Sequence, residues 1–287
     1  MKNKIIYGSA FGLVLLALLA VPLAFGEDIT SSVAVGTAAP VVGNIYFTPS
    51  PIDLSSCGTV TIWCNATVTD ANGYNDVQAA NVTFWDEAAT NEGNSDDNSN
   101  HYTNVSCTLN SGSGSTVQAN CSLTLQYYAN PANWTCKVYA NDTGGESDSN
   151  SSNVTVNSLI ALDADNTIDF LTLSPGATSS DDVNNTVTNC GNVIMDLNLS
   201  GTNLTNTTAT VANITVGNVH YNVTDYYQDY ATLMTALTNT STWADFSLAK
   251  RTNGVSTNKT YWKISIPGSI ENLIYTGTIT FTAVTDS

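Results

Sequence analysis

An alternation of period two constrains this chain more than any other feature. In TVTIWCNATV (59–68), Val60, Ile62, Cys64, Ala66 and Val68 fall on one face and mostly polar residues on the other. Successive strand side chains point to opposite faces, so such a run suits a half-buried strand. The same rhythm aligns Val82 with Phe84, Val117 with Ala119, Cys121, Leu123 and Leu125, and Trp134 with Cys136, Val138 and Ala140. Turn-rich passages separate these runs: TDANGYND (69–76), TNEGNSDDNSN (90–100) and NDTGGESDSNSSN (141–153). The last contains no apolar residue and reads as a terminal hairpin loop or a linker edge. From Leu159 onward, LIALDADNTIDFLTL, ATVANITVGNVHYNVT, KTYWKISIPG and YTGTITFTAV continue the short-strand pattern, and YATLMTAL (230–237) has room for one or two helical turns. The pattern predicts an all-β protein of two tandem β-sandwiches, over 44–156 and 157–287.

The N-terminus has a different character. Lys2 and Lys4 precede an apolar segment from Ile5 to Phe25, and Ala24-Phe25-Gly26 offers a small-x-small exit before Glu27. This predicts a secretory signal peptide over 1–26, with an uncleaved anchor as the rival reading and the only membrane attachment expected. Residues 27–43 read as an extended tail or spacer; Ile29, Ser31, Val33 and Val35 share a parity, so the rival reading is a donor strand that completes a neighbouring copy's sheet. Losing residues 1–26 removes two lysines and no acid, taking the formal charge from −17 to −19. The cations left are Lys137, Lys250, Arg251, Lys259 and Lys263, too few for the basic patches that neutralise phosphates. Nucleic acid is set aside as a partner.

Asn-x-Ser/Thr triplets recur at Asn65, Asn81, Asn104, Asn120, Asn133, Asn141, Asn150, Asn153, Asn184, Asn198, Asn203, Asn206, Asn213, Asn222, Asn239 and Asn258. With 34 Asn and 69 Ser or Thr in 287 residues, random placement gives roughly half these 16. In ten triplets the middle residue is apolar: Ala66, Val82, Val105, Cys121, Trp134, Val154, Leu199, Leu204, Ile214 and Val223. On a strand that places the middle residue inward and the Asn and hydroxyl outward, where an N-linked glycan is tolerated. The sixteen are candidate glycosylation sites.

Six cysteines in an exported chain read as disulfides with 15 possible connectivities. Cys107 and Cys121 flank an apparent hairpin and form the first expected pair, with Cys64–Cys121 its competitor; five of the six lie in the first sandwich, so complete pairing needs Cys190 or leaves unpaired thiols. Only His101 and His220 are available as imidazoles, and both read as surface or strand residues, so a Cys/His metal site is not expected. No GxSxG, HExxH or phosphate-cradling glycine loop is present, and the chain is not expected to be an enzyme. Calcium is the one candidate cofactor: Asp70, Asn72 and Asp76 surround a glycine turn, and Asp163, Asp165 and Asp169 form a second acidic run. Trp63, Trp85 and Trp262 are assigned to the solvent face, where they would suit sugar stacking or a contact surface.

CGTVTIWCNATVTDANGYNDVQAANVTFWD followed by ANWTCKVYAND resembles an immunoglobulin-like module of archaeal secreted cell-surface proteins. VTNCGNVIMDLNLSGTN with the final YTGTITFTAVTDS resembles C-terminal β-sandwiches of secreted surface proteins, and the ending is similar to WxL-type domains, with Phe281-Thr282-Ala283 where WTL is expected. The resemblance implies a Cys64–Cys136 inter-sheet bridge and a Tyr-x-Cys strand in which Trp134 replaces tyrosine. The function expected is that of an extracellular, N-glycosylated structural or adhesive surface protein, part of an envelope or filament through self-assembly, with cell-surface proteins or glycans as partners. The alternative is a carbohydrate-binding module or carbohydrate-active enzyme.

Overall fold

The computed structural model describes residues 28–210 and 212–286. The expected signal segment, 1–26, lies outside them. The chain divides after Gly36. Residues 28–36 carry no helix or strand and expose Ile29, Val33 and Val35. The unit beginning at Thr37 holds both sandwiches.

The first contains β1 (Val41–Thr48), β2 (Thr59–Thr69), β3 (Val77–Asp86), β4 (His101–Asn104), β5 (Thr108–Leu109), β6 (Thr116–Gln126), β7 (Ala132–Asp142) and β8 (Ser147–Val156). β1 thus starts inside the stretch expected to be tail. Antiparallel sheets β1-β2-β6-β5 and β4-β3-β7-β8 face each other, the strand order of an immunoglobulin sandwich. The inward parity of each run fills one core, with Ile62, Cys64, Phe84, Leu125, Trp134 and Cys136 essentially inaccessible. Cys64 on β2 is bonded to Cys136 on β7, across the sheets, although its register partner on β6 is Cys121. Cys121 is bonded to Cys107. Trp134 stacks on Phe84 with ring centroids 4.8 Å apart, and its indole N–H donates to the Asn130 carbonyl at 2.9 Å. A tyrosine two residues before the second cysteine normally makes such an upstream bond; here an indole does it.

The polar stretch 141–153 is mostly strand rather than loop. β8 pairs along its whole length with β7, and its side chains serve β1: Asp148 accepts from the Val42 N–H at 2.8 Å, and the Asn150 amide donates to the Val42 and Gly43 carbonyls at 3.3 and 3.0 Å. An edge strand whose side chains satisfy a neighbour's backbone must be polar, which is why apolar patterning does not reveal it.

The second sandwich contains β9 (Leu162–Ala164), β10 (Val183–Asn189), β11 (Met195–Gly201), β12 (Val219–Asn222), β13 (Thr235–Ala236), β14 (Thr242–Leu248), β15 (Thr257–Ile264) and β16 (Ile279–Thr285). Sheets β13-β12-β15-β10-β9 and β14-β11-β16 enclose a core of Val187, Met195, Leu197, Leu199, Trp262 and Ile264, among others. The 230–237 stretch is a turn leading into β13, not a helix.

A dense joint connects the sandwiches. Cys57, ahead of β2, is bonded to Cys190, just after β10, and the Cys57 N–H also donates to the Cys190 carbonyl at 3.2 Å. Asn192, 1% exposed, uses its whole amide here. Its Nδ2 donates to the carbonyls of Ala129 (2.9 Å) and Asn157 (3.0 Å), and its Oδ1 accepts from the Leu159 N–H (2.6 Å). At Gly191 a Cβ would lie 2.1 Å from the Leu159 carbonyl oxygen, so only glycine permits this approach. Lys250 donates to the Tyr128 carbonyl at 3.3 Å and to the Asn130 side chain, and Arg251 lies over the Tyr128 ring at 4.6 Å. Burial pushes the Lys250 amine down, partly offset by Asp86 and Asp97 nearby.

Asn192→Ala would strand one buried N–H and two carbonyls; a loss of about 3 kcal/mol is expected in urea unfolding. Replacing Cys57 and Cys190 together by Ser should cost about 2–5 kcal/mol and split the calorimetric transition in two, because the 133-residue span is no longer closed.

Candidate functional site

None of the sixteen acceptor asparagines is buried. Asn81, Asn133, Asn150, Asn153, Asn184, Asn203, Asn213, Asn239 and Asn258 are exposed, and Asn65, Asn104, Asn120, Asn141, Asn198, Asn206 and Asn222 are half-buried. By contrast Asn189 and Asn192, outside any triplet, are buried, as is Asn185, the middle residue of the Asn184 triplet. Strand geometry accounts for the separation. Of the middle residues, Ala66, Val82, Cys121, Trp134, Val154, Leu199 and Ile214 are buried and Leu204 and Val223 half-buried. Val105 departs from the expected inward position: it follows β4 in a bend and is 84% exposed.

The amides differ in how much of their hydrogen-bonding capacity the fold uses. A glycan attached at Nδ2 leaves a single N–H. Asn104, Asn206 and Asn222 each give one bond, to the carbonyls of Ser122, Ile274 and Leu233. Asn150 gives two, to Val42 and Gly43, and Asn141 gives two, to Gln78 and the Asp142 carbonyl. Attachment at Asn150 or Asn141 therefore removes a bond that the fold uses.

Two of the three tryptophans assigned to solvent are not there. Trp262 is an inward residue of β15, 0% exposed, its N–H donating to the Thr260 hydroxyl at 2.8 Å. Trp85 does point away from the first core, opposite in parity to Phe84, but it is only 7% exposed. The 87–100 loop folds back over that face. Beside Trp85 in register, His101 is buried, its ring bonded to the Glu92 carbonyl (3.0 Å) and to Asp96 (2.8 Å), while Lys137 pairs with the Glu92 carboxylate at 3.1 Å. Trp63 remains, 41% exposed on β2, with exposed Tyr46 diagonal to it on β1. The other imidazole, His220, is half-buried on β12 and stacks on Tyr230.

Asp70 and Asp76 each place a carboxylate oxygen within 4.8 Å of the other, and the Asn72 side-chain oxygen accepts from the Ala38 N–H at 2.8 Å. The third acid is Asp142, 72 residues beyond Asp70 and missed in the sequence. It ends β7 and is in register with Val77, the residue after Asp76. The signal lay in pairing the two turn clusters TDANGYND and NDTGG at one end of neighbouring strands. Burial alone would raise the Asp142 carboxyl, but hydrogen bonds from Thr37 and the Glu146, Gly144 and Gly145 N–H groups hold it below the ordinary range. Asp163, Asp165 and Asp169 stay exposed and do not converge: Asp163 and Asp169 accept from the nearby Ala164 and Leu171 N–H groups, and Asp165 from the Thr186 N–H on β10. The second sandwich opens at one end into a cleft of about 910 Å³, whose apolar lining includes Phe170, Leu173, Ile266 and Ile270 and whose carboxylates are Asp169 and Glu271.

Three intrachain disulfides fit an extracellular protein. Among the described residues no helix is long and apolar enough to cross a membrane. No protein-family model and no curated protein matches the chain. Among solved structures it is similar to a carbohydrate-binding module of the β-sandwich superfamily, at 11% identity over 86% of this chain and 96% of that one, with a TM-score of 0.26. A DUF4466 family protein from Parabacteroides merdae matches at 9% identity over 80% and 100%, TM-score 0.26. Escherichia coli alpha-2-macroglobulin matches at 13% identity over 83% of this chain and 22% of that one, TM-score 0.20. Likenesses at this level say nothing about activity.

The loop over Trp85 is pinned by Asp97, whose Oδ1 accepts from the Ser99, Asn100 and His101 N–H groups at 2.9, 2.6 and 3.1 Å. Burial pushes this carboxyl up, but these bonds and one from the Asn100 side chain outweigh it and hold it below the ordinary carboxylate range. The stabilisation is therefore complete above the unfolded value and fades as pH falls through the depressed one. Asp97→Ala should speed thermolysin cleavage within 87–100 at neutral pH by about tenfold or more. In the parent chain, hydrogen exchange should show the same loop loosening only below about pH 4.

Proposed function

We propose that this is an extracellular, N-glycosylated surface protein with a structural or adhesive role and no catalytic one. The observation that carries the reading is the joint: a disulfide, a fully bonded buried Asn192 and Gly191 fix two sandwiches to each other, as a module that bears or transmits load requires. The unburied acceptor asparagines on both sandwiches supply a surface compatible with a glycan coat. The resemblance to archaeal cell-surface modules belongs to the same reading. Incorporation into an envelope layer or filament would use residues 28–36, where Ile29, Val33 and Val35 are exposed. A second reading, sugar binding, has the exposed Trp63–Tyr46 pair in its favour, on a face otherwise lined by hydroxyls and amides such as Thr61, Asn120 and Ser122.

Mass spectrometry of the native protein with electron microscopy of the cell surface tests the first reading. Glycopeptides are expected at Asn81, Asn133 and Asn258, with Asn141 and Asn150 bare or substoichiometric. Unmodified peptides at all sixteen positions, or a protein absent from the surface, would overturn it. Deleting residues 28–36 should abolish any ordered assembly while leaving secretion intact. For the second reading, a glycan array should show binding that is lost in Trp63→Ala; no binding by the intact protein removes it.

A further inference from the structure

At one end of the first sandwich three carboxylates converge from two turns. Asp70 follows β2, Asp76 closes the single-turn helix Tyr74–Asp76 before β3, and Asp142 ends β7. One oxygen from each lies within 4.8 Å of the others. Asp70 and Asp142 are both 0% exposed, and Asp76 is half-buried.

Their hydrogen bonds leave the cluster unsatisfied. Each Asp142 oxygen accepts one bond, Oδ1 from the Glu146 N–H at 2.8 Å and Oδ2 from the Thr37 hydroxyl at 2.9 Å, which leaves lone pairs on both. Asp76 accepts from the Thr143 hydroxyl through Oδ1. Asp70 accepts from the Asn72 N–H through Oδ1 at 2.7 Å, but its buried Oδ2 has no hydrogen-bond partner. No cationic side chain offsets the trio: among the described residues the ion pairs are His101–Asp96, Lys137–Glu92 and Lys263–Asp182. A buried, unpaired carboxylate oxygen beside two further carboxylates is costly, and a cation removes both the vacancy and the repulsion.

We propose that Asp70, Asp76 and Asp142 form a calcium site. The donors are all hard oxygens, which select calcium or magnesium over zinc or copper. Magnesium dehydrates reluctantly and is usually held through only one or two carboxylates, whereas calcium takes several carboxylates in a flexible shell, so a three-carboxylate cluster suits calcium. Three carboxylates supply three to six of the roughly six to eight oxygens calcium takes, and water completes the shell. The ion ties the β2–β3 turn to the end of β7. Through the Thr37–Asp142 bond it also fixes the first residue of the compact unit.

The test uses the full exported chain stripped with a chelator. Calcium at about 10 mM should raise the unfolding midpoint by about 3–8 °C, given an extracellular-type dissociation constant of about 0.1–1 mM. Asp76→Asn should lose this shift, yet melt in chelator at or above the parent's midpoint, because it removes one of three repelling charges. Terbium, sensitised by neighbouring Tyr74, reads binding in the unmutated chain and should be displaced by calcium at concentrations where magnesium leaves it bound. No calcium shift in the parent, an equal shift in Asp76→Asn, or equal displacement by magnesium would overturn the proposal.

Discussion

The Asn192 side chain sits where the two sandwiches meet, and the rest of the architecture leans on its three bonds. An amide that satisfies two carbonyls and one N–H from the first sandwich and the connecting segment cannot be displaced without stranding all of them. The Cys57–Cys190 bridge makes the contact covalent, and Gly191 lets the backbones close to a distance no side chain would allow. Each sandwich has its own core, but neither is free to choose its orientation. The two β-modules are thus held in one fixed orientation.

Scarce positive charge is spent on the same purpose. Of the five cations after residue 26, Lys250 and Arg251 lie at the joint, and Lys137 staples the 87–100 loop over Trp85. Lys263, nearly buried, pairs with Asp182 at 3.3 Å and donates to the Gln228 carbonyl at 2.9 Å, drawing a second loop onto the outer face of β15. Only Lys259 is left for solvent. The acidity that set aside nucleic-acid binding thus has a counterpart inside the fold, where nearly every cation has an internal partner.

The parity of the strands was legible because it follows from one rule, and it correctly placed Cys64, Cys121, Phe84 and Trp134 in the core and the triplet asparagines outside it. The rule reports direction, not coverage. Trp85 points outward as alternation requires, but no local pattern announces that residues 87–100 return to bury it. Trp262 was misassigned because KTYWKISI offers two phases: Thr260 and Lys263 are buried alongside Trp262 and Ile264, so polarity does not mark the faces. β8 escaped notice for the opposite reason, since its polar side chains work on β1's backbone rather than on a core. Asp142 was hidden by distance in sequence, although both acidic turns were visible; what joins them is the β3–β7 register, a tertiary fact.

The contact between β8 and β1 bears on how such a chain meets its neighbours. Sandwiches with bare edges invite other strands to add on, and the usual defence is charge, proline or a bulge. Here Asp148 and Asn150 occupy the Val42 N–H and the Val42 and Gly43 carbonyls, closing the seam between two edge strands of opposite sheets. An incoming peptide finds those backbone groups already engaged. A strand adding on that side would first have to displace these three side-chain hydrogen bonds, so the two edges guard each other.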